Sequence, residues 1–499
     1  MSLTFYLDKG ASLGPDAPCL TAAGRTLSYG QVVALTHAVA RALRRSGVRP
    51  GDKVGILSAN DPVAFACVFG IARAGAVWCP INPRNAAAET AELLALFDCR
   101  VLLHQESFAA PAKELDLDVR VQFGAEFDAW LAAAADDPPI DADQPDGVVA
   151  VIGTGGTTGR PKGVMITDRN IETMSATILM SYPFSGRPRY LALAPLTHAA
   201  GVLCFPVMTL GGEVVIMPKP DVGRFLELAA RHRITHTFLP PTMIYMVLGH
   251  PDLDTTDLGA LQCFWYGAAP ISTARLAEAL QRIGPMAQLF GQVEAPMMIS
   301  TMAPADLYRP DGSVATERLA SAGRPTPLVT AAIMDDTGGL LPAGERGEIV
   351  VRGSLVMAGY YKNPEATAEA SRYGWHHTGD IGYLDADGYL FIVDRAKDMV
   401  ITGGFNVYSA EVEQAVMAHP AVRDCAVVGL PDDKWGERVT AVVQLQPGAE
   451  LDPAELVTFA KERIGSVKAP KQVEVWPDLP RSTVGKVLKR EVRAALLRC

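Results

Sequence analysis

Cysteine is scarce in this chain: eight in 499 residues, with no C-x-x-C spacing among them. That excludes a disulfide framework and supplies no zinc module, and it fits a reducing cytoplasm. A basic surplus is also missing, since 45 Lys+Arg face 55 Asp+Glu for a formal charge of −10. A general nucleic-acid binder would carry the opposite sign, so any anion must be held by a local site. Charged residues are only 20% of the chain against 49% apolar, which excludes disorder. Met1 to Gly10 lacks the basic start and apolar run of a signal peptide. One uncharged stretch, Tyr190 to Gly212, has the length of a bilayer span. Pro195 and Pro206 interrupt it, and Thr197 and His198 lie near its middle, so it reads as a core segment carrying a site. No internal repeat is visible.

What is present is an alternation of helix-like and strand-like patterns. Ser28 and Gln31 form a capping box before a helix whose inner face is Val32, Leu35, Val39 and Leu43, and Gly47 ends it. Short apolar runs follow at 54–57, 77–81 and 101–103, with a helix at 62–74 between the first two. Such alternation predicts a mostly parallel sheet covered on both faces. Further strands are expected at 148–152, 214–217 and 236–239. From about Thr326 the pattern turns to short β pieces with turns such as Asp335–Gly339 and Asp385–Gly388. After Asp394 an α+β tail begins, with helices at 410–418 and 453–464 and strands at 425–430 and 439–445. Asp452 is the expected cap of the second helix, with Glu455 closing its box. The division predicted is 1–395, with a β-rich subdomain over about 326–395, and 396–499.

The strongest local signal is Thr154-Gly155-Gly156-Thr157-Thr158-Gly159-Arg160-Pro161-Lys162-Gly163, directly after a strand. Glycines let a backbone wrap an anion closely, threonines add hydroxyl donors, and Lys162 adds charge. This is phosphate chemistry, yet not a Walker loop. Lys162 lies three residues past Gly159, and Pro161 removes a donor where a helix would start.

This string resembles that of the adenylate-forming superfamily: acyl-CoA synthetases, peptide-synthetase adenylation domains and luciferases. Other motifs follow in the family's order. Gly267-Ala268-Ala269-Pro270 resembles its adenine-contacting turn, and Phe290-Gly291-Gln292-Val293-Glu294 its aromatic-Gly-x-Thr-Glu motif. Trp375-His376-His377-Thr378-Gly379-Asp380 resembles the ribose motif, and Asp394-Arg395-Ala396-Lys397-Asp398 the hinge. Gly403-Gly404-Phe405 follows as the coenzyme A loop, and Pro480 to Lys486 resembles the C-terminal lysine motif. The likeness runs from about Leu27 to Lys489. It implies an α/β fold: a large N-terminal domain of mixed, mostly parallel sheets flanked by helices, with the β-rich subdomain, and a small mobile α+β C-terminal domain.

The resemblance also implies roles. Asp380 and Arg395 would hold a ribose diol, an ionised carboxylate being a two-oxygen acceptor. Glu294 would ligate Mg²⁺, which takes one or two carboxylates besides phosphate oxygens and water. Lys486 would neutralise charge as a carboxylate attacks the α-phosphate. His198 would sit beside that carboxylate, His376 and His377 would flank the nucleotide without catalysing, and Lys397 would be the pivot. The implied activity is acid–CoA ligation: acyl-AMP and pyrophosphate form from ATP, then acyl-CoA and AMP.

The acyl pocket is expected along Thr197, Phe264, Trp265, Val293, Met297 and Met298, apolar and without a cation for a second carboxylate. A monocarboxylic acid follows, fatty acid first and aryl acid second. Gly155, Val293 and Thr197 replace the family's usual Ser, Thr and aromatic residue. Each lost donor costs ~1–3 kcal/mol where its partner stays unpaired. Rival readings are an acyl-AMP ligase with another acceptor and a non-catalytic nucleotide-binding protein. Expected partners are the acid, ATP and CoA, with no nucleic acid and no membrane segment; a homodimer is left open.

Overall fold

The computed structural model describes residues 1–140, 142, 147–154, 161–196, 199–482 and 487–498. Two large sheets lie in its N-terminal part. One has nine strands, ordered from Arg324–Pro325 through Ala295–Met302, Met286–Gln292, Cys263–Gly267, His236–Leu239, Arg189–Ala192, Glu213–Ile216 and Pro18–Ala22 to Arg25–Ser28. Its central six strands are parallel, and the outer ones antiparallel. The other has seven strands, with Val148–Thr154, Val77–Ile81, Lys53–Leu57, Cys99–His104 and Val119–Gln122 parallel to one another. The largest core fills the space between them. A second core covers the opposite face of the nine-stranded sheet. The expected mixed, mostly parallel architecture is the one observed.

Local chemistry accounts for the elements. Ser28 and Gln31 close their capping box at both ends, at 3.2 and 2.9 Å, so helix Tyr29–Arg45 starts where the sequence indicates. Its buried face carries Val32, Val39 and Leu43, while Leu35 is only half-buried. Asp61 accepts from the backbone of Val63 and Ala64 to start helix Pro62–Arg73. The helix at Pro453–Lys468 departs from expectation. Asp452 caps it through Ala454, but Glu455 turns away toward His419, 3.7 Å off, so no box forms.

The β-rich part is an antiparallel sheet of Thr330–Met334, Gly347–Arg352, His376–Leu384 and Leu390–Arg395. Beyond it, residues 400–475 build a separate five-stranded sheet with its own core. The uncharged stretch at 190–212 holds strand Arg189–Ala192 and short helices Ala199–Val202 and Cys204–Thr209, with Tyr190, Phe205 and Met208 fully buried. Among the described residues no helix is long and apolar enough to cross a membrane.

Candidate active site

The phosphate-type loop joins two antiparallel strands, Val148–Thr154 and Lys162–Thr167, with Thr154 opposite Lys162 as the last rung. A hairpin cannot present a helix N-terminus to phosphate, which is the physical reason the Walker reading fails. Gly155, Gly156, Thr157, Thr158 and Gly159 lie outside the described residues, as do Thr197, His198 and Lys486.

Lys162 extends its Nζ over the ring of Tyr360, 4.8 Å from the centroid. The Tyr360 hydroxyl donates to Glu294 Oε1 at 2.9 Å. Burial, reinforced by Glu294, raises the phenol pKa strongly, so Tyr360 stays protonated and keeps donating. Glu294 occupies the tight turn between strands Met286–Gln292 and Ala295–Met302, and Met357 N–H holds its carbonyl at 2.8 Å. Tyr360 therefore joins a cation and a carboxylate, a role the sequence reading missed. Its only signal was an aromatic after Gly359.

Gln292 links this group to the ribose motif. Its Nε2 donates to Thr378 O at 3.2 Å, and its Oε1 lies 3.3 Å from His376 Nε2. Burial holds the His376 pKa down at about 4, so the ring is neutral near pH 7. Thr378 Oγ1 donates to Ile349 O and accepts from Asp380 N–H, while Gly379, at φ +71°, gives its N–H to Glu348 at 2.9 Å. The other Glu348 oxygen lies 2.7 Å from His377 Nδ1. This scaffold sets the strand so that Asp380 faces Arg395 on the neighbouring strand, in register, with Arg395 Nε 2.8 Å from Asp380 Oδ1. A carboxylate and a guanidinium side by side offer acceptor and donor to a vicinal diol.

The Gly267–Pro270 turn follows strand Cys263–Gly267. A side chain at Gly267 would meet Leu289 O at 2.4 Å, so only glycine allows the strands to lie this close. Ala268 sits at φ +68° and is exposed. A left-handed non-glycine residue costs about 1–3 kcal/mol and is found preferentially at ligand sites. Ala269 is half-buried and Pro270 exposed beside it, and Phe290 and Gly291 lead into the Glu294 turn.

The pocket expectation needs one correction. Strand alternation places Trp265 in the core between the large sheets and Phe264 in the core on the opposite face. Phe264 packs beside Phe225, ring centroids 6.2 Å apart, and shares no wall with Trp265. Val293 and Met297 are half-buried, and Met298 is fully buried, all on the Trp265 side.

Around the hinge motif, Ala396–Asp398 forms one short 3₁₀ turn containing Lys397. Asp394, just before it, accepts from the backbone N–H of Ser409 and, at 2.8–2.9 Å, from its hydroxyl. Lys489 Nζ donates to Ser409 Oγ at 2.6 Å and pairs with Glu413 at 2.7 Å. Burial works against the Lys489 charge, but Glu413, Asp394 and Asp398 outweigh it and raise its pKa. Burial also raises Glu413, against the pull of Lys489. Gly403 and Gly404, both with positive φ, turn the hairpin Val400–Thr402/Phe405–Val407. Phe405 there is 59% exposed, at a cleft of about 360 Å³ shared with Trp435, Lys461 and Lys471. No cluster of three or more His, Cys, Asp or Glu suited to a metal occurs among the described residues.

Comparison with known proteins gives the family. Residues 7–361 match the family model for AMP-binding enzymes, and residues 411–486 match the AMP-binding enzyme C-terminal domain. The chain is 38% identical over 503 residues to the medium/long-chain-fatty-acid–CoA ligase FadD8 of Mycobacterium tuberculosis, covering 96% of this chain and 87% of that protein. It is 38% identical over 487 residues to a feruloyl-CoA synthase of Amycolatopsis sp, covering 97% and 96%. The solved structure of the amide bond synthetase McbA from Marinactinospora thermotolerans superposes with a TM-score of 0.90 at 32% identity, covering 98% and 99%. The chain therefore belongs to the AMP-binding enzyme family, the adenylate-forming superfamily, as an AMP-forming acid–CoA ligase of the acyl-CoA synthetase type.

Proposed function

We propose that this enzyme activates an apolar monocarboxylic acid and transfers it to coenzyme A. The observation that carries the reading is the continuous chain Lys162–Tyr360–Glu294 and Gln292–Thr378–Asp380–Arg395, which lines up phosphate-type and ribose-type groups along one edge. Asp380 and Arg395 bind the ribose. Thr154, the loop after it and Lys162 bind phosphates, and Gly267 to Pro270 with Phe290 and Gly291 form the adenine side. Glu294 suits Mg²⁺, since a carboxylate steadied by one phenol fits an ion that draws its other ligands from phosphate and water. That ion would screen the phosphate charge. Lys486 cancels charge at the α-phosphate in the first step, and His198 lies by the acid. AMP is a good leaving group, so the thiol of CoA displaces it readily in the second step.

Residues 1–395 and 396–499 act as two domains that pivot at Lys397, bringing Gly403, Gly404 and Phe405 to the site for the second step. The exposed Phe405 and Trp435 with two lysines beside them suit an anionic nucleotide carrier such as CoA. Val293, Met297, Met298 and Trp265 supply an apolar wall without a cation, which disfavours dicarboxylates such as malonate. Transfer to a carrier protein is the less favoured acceptor reading. Strand Gly359–Tyr360 passes through helix Pro364–Ala370 straight to strand His376–Leu384, with no inserted segment.

The test is pyrophosphate release over a panel of acids, followed by CoA-dependent AMP release. Release of pyrophosphate with CoA-independent retention of acyl-AMP would point to another acceptor. No release with any acid would leave only nucleotide binding.

A further inference from the structure

We propose that Arg481 is a positioning residue for Lys486: its ion pair with Asp424 fixes the base of the segment carrying that lysine, and so serves adenylation and not thioester formation. This rests on the reading above that Lys486 acts in the first step, and adds what holds it in place.

Lys486 lies five residues past Arg481 and one before Val487. The intervening Ser482-Thr483-Val484-Gly485 carries no charge. A lysine is a point charge on a flexible stem, so its placement depends on where its segment is anchored. Both ends are anchored. Arg481 and Val487 pair as an antiparallel bridge, and Leu488 N–H donates to Pro480 O at 2.8 Å. Leu479 and Val487 pack into the apolar cluster built on Ala426, Val428 and Val442.

Arg481 ties that base to the sheet. Asp424 and Gln444 stand opposite each other on strands Val422–Asp432 and Gly436–Leu445. The Arg481 Nη2 donates to Asp424 Oδ2 at 2.7 Å and to Gln444 Oε1 at 3.4 Å, while Gln444 Nε2 donates to Pro477 O at 3.0 Å. The two charged side chains are only 25% and 15% exposed, so solvent ions screen the pair weakly.

The clamp faces the nucleotide edge. Asp424, Gln444 and Arg481 share a cleft of about 310 Å³ with Thr242 and Tyr245 of helix Pro241–Leu248. The Tyr245 hydroxyl accepts from Ser272 N–H at 2.8 Å, and Gln414 Nε2 donates to Ile271 O at 3.1 Å. Ile271 and Ser272 directly follow the Gly267–Pro270 turn, at the carboxyl ends of the parallel strands, where α/β sheets take their ligands.

The experiment uses the full-length protein as wild type, Arg481→Ala, Arg481→Met, Asp424→Ala and Arg481→Ala/Asp424→Ala. Adenylation is read as pyrophosphate release with the fastest of octanoate, palmitate, benzoate and 4-coumarate. The second step is read as CoA-dependent AMP release from that acid's supplied adenylate. A misplacement of about 1 Å can cost ~100-fold, so each single variant should lower kcat for pyrophosphate release roughly 30-fold or more, with KM for ATP and acid unchanged. AMP release from the adenylate should stay within about threefold of wild type. The double variant should be no slower than the slower alanine variant, since both changes remove one contact. Arg481→Met keeps the apolar stem and carries the test if Arg481→Ala fails to fold, as judged by circular dichroism. Equal loss in both steps, normal pyrophosphate release, or losses that multiply in the double variant would overturn the positioning role and leave the ligase reading intact. No pyrophosphate release by wild type with any of the four acids would instead sink the ligase reading, and this role with it.

Discussion

Tyr360 couples two charges that the sequence alone presents as separate motifs. Its ring lies under Lys162 and its hydroxyl steadies Glu294. Replacing it with phenylalanine keeps the cation–π contact and removes the hydrogen bond. A hydrogen bond to a charged group is worth ~1.5–3 kcal/mol. Tyr360→Phe should therefore lower kcat/KM for ATP-Mg²⁺ by about tenfold or more, with thermal stability nearly unchanged. Initial rates at varied ATP check this; a normal kcat/KM would show that Glu294 needs no such support. The same scale shows why Phe264 was misplaced. The resemblance put both on one wall, but adjacent strand residues point to opposite faces, so Phe264 and Trp265 lie in different cores.

At the scale of elements, the turn Ala396–Asp398 and the buried cluster beside it do different work. Lys397 lies in the turn without regular sheet pairing, so a proline there restricts φ without breaking a ladder. Lys397→Pro should leave pyrophosphate release near normal and reduce acyl-CoA formation at least 100-fold, since rotation between steps is frozen. Separate half-reaction assays read this, and a normal thioester rate would place the pivot elsewhere. The cluster Asp394, Ser409, Lys489 and Glu413 ties the segments before and after the hinge to the last helix, Lys489–Leu496. Removing one partner of a buried pair strands the other, at about 3–5 kcal/mol. Lys489→Met should therefore shift the urea unfolding midpoint of the C-terminal part strongly downward. The loss should be smaller in Glu413→Gln/Lys489→Met, which buries no unpaired charge. Ser409 and Glu413 share one turn of a helix, but nothing in the spacing announced that Asp394 and Lys489 join them, because those contacts span 15 and 80 residues and are made only through packing.

For the whole molecule, two buried histidines contribute to a loss of stability in acid. His236 and His376 both have pKa values held down at about 4 by burial. Depressed values mean the unfolded chain binds more protons below pH 6.5, so stability is full above that value and is lost as pH falls toward 4. At pH 5 each should cost about 2 kcal/mol relative to pH 7. Urea unfolding at the two pH values measures it, and His236→Phe should remove about half of the difference. An equal pH slope in the variant would show that His236 is not the group titrating.

The residue order alone determined the fold class, the positions of several strands and helices, the family and the reaction. Those properties rest on local signals: capping side chains, alternating apolar runs, and glycine-rich strings whose spacing is itself the chemistry. Ser28 with Gln31 and the strand at 77–81 were legible that way, while Asp380 and Arg395 were reached through the family resemblance and only the fold pairs them. Only tertiary structure decided which side chains share a surface. It placed Tyr360 between Lys162 and Glu294, gathered Lys489 with Asp394, and turned Trp265 rather than Phe264 toward the space between the sheets. Which rings from strands Arg189–Ala192, His236–Leu239 and Cys263–Gly267 stack on one face follows from register and sheet order, which no local pattern encodes.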